Sequence, residues 1–232
     1  MIKAVFFDLY QTLVTYRPSQ AELEAGALKE LGVNVVPETL RLPIIAADEF
    51  IYEEIARRQF SRRSREEQTA LYIRHQEIML REAGIPYDNK LVYALLAKMQ
   101  QFKLNLVLFD DVVPTLTALK QRGLTVGLIS NVEQGADETL DKLGLSSRLD
   151  IVMTSREAGA NKPDPQIFRA ALQKANAMPG EAIYTGDQYR VDVIGARGAG
   201  MVGILLDRYD YNQDITDCPR IKGLLEVEKY LD

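Results

Sequence analysis

The chain has 232 residues, 47% hydrophobic and 26% charged, enough to bury a core in one large or two modest domains. A net charge of −5 gives no global basic field for nucleic acid, and no apolar run reaches membrane-spanning length. The single cysteine, Cys218, excludes an intramolecular disulfide, and the first strand pattern starts at once instead of a signal peptide, so the expected location is cytoplasmic.

Ala4-Val5-Phe6-Phe7 is apolar without alternation, the pattern of a strand buried on both faces of a parallel sheet. It ends in Asp8, where open α/β sheets place their ligands, and a carboxylate there can attack an electrophile to form an ester. Capping the next turn is the plainer use. From about residue 15 to 105 no clear strand follows. Helical periodicity runs instead through Leu23, Ala27, Leu31; Ile44, Ile51, Ile55; Leu71, Ile78, Leu80; and Leu91, Leu95, Met99. Four such helices make a small bundle. Within it, His75 has no second His or Cys nearby and suits a surface or packing role. Arg57, Arg58, Arg62, Arg63 and Arg65 suit a solvated face paired with Glu53, Glu54, Glu66 and Glu67.

Strand patterns return near 124–130, 150–154, 182–186 and 201–206, separated by helical patterns at 112–122, 133–144, 165–176 and 190–199. Strands alternating with helices predict βαβ units and a parallel sheet. Three of these later segments carry polar groups: Ser130-Asn131 after a strand, Lys162 in a proline-punctuated loop, and Gly186-Asp187 with Asp192 five residues on. Singly they suit a helix N-cap, a solvated charge and helix N-terminal acids. Gly195-Ala196-Arg197-Gly198-Ala199-Gly200 has the wrong order for a dinucleotide loop and predicts a helix end with close packing.

Taken in order, the Asp8 strand, the Ser130 strand, the Lys162 loop and Gly-Asp-x4-Asp resemble the signature of the haloacid dehalogenase superfamily of hydrolases, across nearly the whole chain. The resemblance implies an α/β fold: a Rossmann-like parallel core, residues 1–15 and 106–232, with an inserted helical cap of four-helix-bundle type, residues 16–105. The joints are expected near Thr15 to Pro18 and Phe102 to Phe109. It implies that Asp8 is the nucleophile and that Thr12 fixes its loop. Ser130 and Asn131 would donate to an anionic substrate oxygen, and Lys162 would neutralise charge on nucleophile and substrate. Asp187 and Asp192 would bind or support Mg²⁺, with Asp8 and the backbone carbonyl of Tyr10 as further metal ligands.

Residue ten departs from the phosphatase pattern. Phosphatases of this superfamily carry there a second Asp that protonates the leaving alkoxide and then activates water. Tyr10 is a poor base near neutral pH, since a phenol has a pKa of about 10. Asp-x-Tyr-x-Thr is similar instead to 2-haloacid dehalogenases, whose leaving halide needs no proton. Those enzymes, however, are metal-independent and lack the Gly-Asp that this chain has at Asp187; Tyr189 stands where they have Asn. They also use a cap Arg on the substrate, near Arg41, though a solvated helix residue is the plainer use of Arg41. The leading expectation is hydrolysis of a short 2-haloacid through an ester on Asp8, with Lys162 and Asp192 supporting both steps, Tyr10 and Asn131 lining the substrate, and no Mg²⁺ requirement. The alternatives are an Mg²⁺-dependent phosphatase of a small phosphomonoester and a non-catalytic binding protein. The expected partner is a small anionic substrate, without nucleic acid or membrane, and the chain is expected to be a monomer or homodimer.

Overall fold

The computed structural model describes residues 1–102, 105–132 and 135–231. The chain divides into two compact units, Met1–Thr15 with Val107–Asp232, and Tyr16–Leu106.

The first unit is a Rossmann-like α/β core. Its strands β1 (Ala4–Phe7), β4 (Thr125–Ser130), β5 (Ile151–Thr154), β6 (Ala182–Gly186), β7 (Val202–Leu206) and β8 (Arg220–Ile221) form one sheet in the order β5-β4-β1-β6-β7-β8. Every pairing is parallel. β1 is central and all four of its residues are buried, as its unbroken apolar run requires. Phe7 lies level with Leu128 and with Thr185, so Asp8, Ser130 and Asp187 all emerge at the same C-terminal edge. The flanking helices are α5 (Val112–Gln121), α6 (Ala136–Lys142), α7 (Ser155–Ala158), α8 (Pro165–Lys174) and α9 (Ile194–Gly198). The helical pattern at 133–144 starts partly outside the described residues, at 133 and 134.

The stretch expected to hold no strand has one at each margin, β2 (Val14–Arg17) and β3 (Asn105–Leu108), which pair as a two-stranded sheet. These strands are four residues each and carry Thr15, Arg17 and Asn105, too short and too polar to announce themselves.

The second unit contains, among the described residues, helices α1 (Gln20–Glu30), α2 (Arg41–Arg57), α3 (Arg65–Glu82) and α4 (Asn89–Met99). Two of them start on a capping box. Ser19 Oγ accepts from Glu22 N while Glu22 accepts from Ser19 N, and Ser64 and Glu67 do the same. Leu28, Leu40, Ile44, Ile78, Met79, Leu80 and Leu95 form the core. The arginine-rich segment is paired at its surface: Arg57 with Glu54 at 2.6 Å, Arg58 with Glu67 at 2.8 Å and Arg63 with Glu54 at 3.2 Å. Arg41 is exposed, 3.8 Å from Glu38.

Residues 190–199 are the clearest departure from the predicted elements. A π-helical turn, Tyr189–Val193, precedes the five-residue α9. Val193 N reaches Gln188 O at 3.4 Å, Asp192 N donates to the same carbonyl at 2.8 Å, and the Asp192 carboxylate folds back onto Gln188 N at 3.0 Å. These bonds widen the turn and swing Asp192 under the sheet edge; such turns recur at functional sites. Gly200 follows α9 with φ +85°, a left-handed helix end.

Candidate active site

Three carboxylates meet at the sheet edge. One oxygen each from Asp8, Asp187 and Asp192 lies within 4.8 Å of the others. The Lys162 ammonium stands among them, 2.6 Å from Asp8 Oδ1 and 2.7 Å from Asp192 Oδ1. Lys162 is only 2% exposed, so its charge depends on these partners.

The backbone aims each group. Asp8 N donates to Thr185 O at 3.0 Å, continuing the β1–β6 ladder by one residue. Leu13 N and Val14 N both return to Leu9 O, each at 2.9 Å, closing a tight loop that carries Tyr10 and Thr12. Gln11 sits in that loop with φ +55°. Thr12 Oγ1 donates to Asp187 Oδ1 at 3.1 Å, so it orients Asp187 across the site. Gly186 makes room for Asp192: a Cβ there would lie 2.2 Å from Asp192 Oδ2. Gly195 does the same for the Lys162 loop, where a Cβ would come within 2.9 Å of Pro163 Cα.

Asn131 has a partner other than the one expected. Its Oδ1 accepts from Lys162 N at 2.6 Å and its Nδ2 donates to Lys162 O at 3.0 Å. The amide therefore holds the Lys162 backbone in register with the end of β4, instead of offering both its polar atoms to a substrate. Ser130, 2% exposed, is buried at the last position of β4. Tyr10 is partly exposed beside Asp8.

Electrostatics follow from the crowding. Burial raises Asp8 most, Lys162 opposes it and Asp192 adds to it, leaving the carboxyl pushed up to about 6. Burial, then the Asp192 and Asp8 charges, hold Asp187 well above the usual carboxylate range. Burial works against the Lys162 charge, but Asp192 and Asp8 outweigh it and raise its pKa above the ordinary lysine value. Burial and the Asp8 charge push the Tyr10 phenol up, so it stays protonated at neutral pH.

The donor set suits a hard cation, which takes oxygen ligands. Both Asp192 oxygens are already engaged, Oδ1 by Lys162 and Oδ2 by Gln188 N. Asp8 and Asp187 are then the carboxylates available to a metal, and a divalent ion between them would stabilise their charged forms against the burial that raises both.

The residue that sequence reasoning missed is Tyr184. It lies in β6, fully buried, with its hydroxyl 2.8 Å from Lys162 Nζ. A tyrosine inside a strand buried on both faces was the available signal, because a buried phenol needs a hydrogen-bond partner.

A family model described as haloacid dehalogenase-like hydrolase matches residues 2–200. The chain is 31% identical to the glyceraldehyde 3-phosphate phosphatase of Methanopyrus kandleri, over 100% of this chain and 99% of that protein. It is 27% identical to the ribulose-1,5-bisphosphate 5-phosphatase of Halopiger xanaduensis, over 89% of this chain and 85% of that one. Among solved structures it is similar to a 2-haloacid dehalogenase from Pseudomonas syringae pv. Tomato DC3000, with 25% identity, a TM-score of 0.57, and coverage of 100% of this chain and 98% of that one.

Proposed function

This chain belongs to the haloacid dehalogenase-like hydrolases, and we propose that within them it is an Mg²⁺-dependent phosphatase acting on a small phosphomonoester. Relatives aligned along most or all of the chain are named phosphatases of small phosphorylated metabolites, which favours this reading over the 2-haloacid hydrolysis that Tyr10 put first. The observation that carries it is the place of Asp187. This acid, absent from the dehalogenase pattern, stands with Asp8 in one oxygen cluster that a single ammonium leaves short of positive charge.

Asp8, Asp187 and the Tyr10 carbonyl would hold the Mg²⁺, which when bound draws charge from the phosphoryl oxygens and shields the nucleophile from them. Asp8 attacks phosphorus, the bond to the ester oxygen breaks, the alkoxide leaves and takes a proton from water, and the phosphoryl group is left on Asp8 as an acyl phosphate. Lys162 stays paired with Asp8 Oδ1 and offsets charge on nucleophile and substrate. Water then attacks phosphorus, releasing phosphate and the free carboxylate. Thr12 and Asn131 position Asp187 and Lys162, and Ser130 faces the same edge as a donor to a phosphoryl oxygen.

The test is a panel of small phosphate esters and 2-haloacids, each assayed for phosphate and halide with Mg²⁺ and with chelator. Phosphate release that chelator abolishes is expected. Halide release that survives chelator, without phosphate release, would return the dehalogenase reading to first place.

A further inference from the structure

Lys162 has three ammonium hydrogens and three close acceptors: Asp8 Oδ1 at 2.6 Å, Asp192 Oδ1 at 2.7 Å and the Tyr184 hydroxyl at 2.8 Å. The first two are the charges it balances. The third is a neutral group from the sheet interior, and its partners explain its place. The Tyr184 hydroxyl has one proton to give, and Ile129 O at 3.0 Å and Asp192 Oδ1 at 3.1 Å lie within reach of it. Ile129 belongs to β4, one residue before Ser130 and two before Asn131. β4 therefore grips Lys162 twice: Asn131 fixes its backbone, and the Ile129 carbonyl, through Tyr184, fixes its ammonium.

The phenol cannot drift. Its ring meets Phe168 edge-on, with centroids 5.1 Å apart and planes at 89°. Tyr184 is level with Phe6 in the β1–β6 pairing and is wholly buried. Its hydroxyl thus reaches the sheet edge from a fixed base, in a packed interior that transmits small displacements. Four methylenes separate the Lys162 ammonium from its backbone, and a point charge on such a stem takes the position its partners dictate. Two carboxylate contacts still let the ammonium shift as the torsions of its stem change; a third contact narrows that range.

We propose that Tyr184 is a positioning residue, whose hydroxyl ties the third hydrogen of Lys162 to the β4 strand end and so fixes the ammonium between Asp8 and Asp192. Its kinetic consequence rests on the phosphatase reading above; the anchoring itself does not.

Tyr184→Phe removes the hydroxyl and keeps the ring that packs on Phe168. In the turnover assay, kcat is expected to fall by about 10–10²-fold with KM changed less than about twofold, because a misplaced group near the reacting atoms costs rate more than binding. Phe168→Leu is the comparison: it loosens the packing under the ring but leaves the hydroxyl and its bonds, so it should lower the melting temperature and cost kcat clearly less than Tyr184→Phe does. Equal kcat losses in the two variants, or an unchanged kcat in Tyr184→Phe, would overturn the proposal.

A second measurement needs no turnover. In ¹H–¹⁵N spectra of lysine ammonium groups, the wild type should show a slowly exchanging Lys162 signal, assigned by its loss in Lys162→Arg, with an Overhauser contact to a protected tyrosine hydroxyl proton. Tyr184→Phe should remove that contact and speed ammonium exchange at least tenfold. A Lys162 ammonium with no contact to a tyrosine hydroxyl in the wild type would overturn the anchoring, even if Tyr184→Phe fails to fold. If no phosphate ester is turned over but the contact is seen, the phosphatase reading fails and the anchoring stands.

Discussion

The two units each bury a polar cluster, and the clusters are built on opposite principles. In the α/β unit, Asp8, Asp187 and Asp192 surround one ammonium, every hydrogen of which has an acceptor. In the helical unit, Glu24 of α1 faces Gln76 of α3, with Gln76 Nε2 donating to Glu24 Oε1 at 2.9 Å. Beside them His75 Nε2 pairs with Asp48 Oδ1 at 2.9 Å. There the positive partner is a histidine, His75, whose charge pulls Glu24 down only in part; burial dominates, and it holds the Glu24 carboxyl up to about 7. The first cluster pairs Asp8 and Asp192 with an ammonium and leaves Asp187, raised by burial and by its acidic neighbours, for a metal ion to compensate. The second lowers its charge by holding a proton. A buried carboxylate is therefore not by itself a sign of chemistry: what separates the two is whether a lysine bonded to the carboxylates and a strand-end edge accompany it.

The largest expected effect falls on the first cluster. Asp8→Asn removes the proposed nucleophile while preserving its shape, and turnover should drop by more than about 10³-fold. The far-ultraviolet circular dichroism should be unchanged. A variant that keeps more than roughly a few per cent of the wild-type rate, with deamidation excluded by mass spectrometry, would remove the covalent step and with it the contrast between the clusters.

Tyr10→Asp sharpens the contrast by adding a carboxylate to the charged cluster. A phosphatase slowed by a phenol at this position gains the acid and base that the superfamily's phosphatase pattern carries there, worth about 10²–10⁴-fold in phosphate release. The phenol's raised pKa makes it a weak acid for a leaving alkoxide, so the gain should be largest on alkyl esters. Phosphate release that stays flat or falls in Tyr10→Asp would mean that residue ten does not limit the reaction.

Much of the charged cluster was legible in the sequence because it sits at the ends of unbroken apolar runs. Phe6-Phe7-Asp8 and Ile129-Ser130 mark buried strands whose last polar residue must face the sheet edge. Lys162 was legible only through the family resemblance, since 154 residues separate it from Asp8 and no local pattern links them. Asp192 was seen, but its turn was not: side-chain and backbone bonds to Gln188 override the helical periodicity of 190–199. Glu24 was passed over because it lies beside Leu23 on what reads as a surface helix. Ala21, Leu23, Ala25, Ala27 and Leu28 of α1 are also buried, so α1 is enclosed on most of its circumference, and its one deeply buried acid is enclosed with it. His75, expected at the surface or in packing, is buried because Asp48 supplies the bond that burial demands.

The smallest expected effect tests the second cluster and should leave catalysis alone. Glu24 Oε2 and Gln76 Oε1 are both buried without a partner. Two neighbouring acceptors are left orphaned when Glu24 is ionised, whereas a proton on Oε2 supplies a donor. Glu24 is thus a carboxyl whose pKa is raised on folding, from 4.5 to about 7. Its contribution to stability is fully present below pH 4.5 and is lost as pH rises to about 7. The loss is on the order of 3 kcal/mol at most. His75 adds to the same trend: burial opposes its charge, but Asp48 and Glu24 outweigh burial and raise its pKa, so its contribution also fades with rising pH. Glu24→Gln replaces the acid by an amide that can donate to Gln76 Oε1 and accept from Gln76 Nε2 at every pH. Melting temperatures across pH 5 to 8 should show the wild type declining and the variant declining less, with the variant several degrees higher at pH 8 and nearly equal at pH 5. The rate of phosphate release should be the same in both. Parallel melting curves would show that Glu24 is ionised throughout, and that the helical unit carries a buried charge after all.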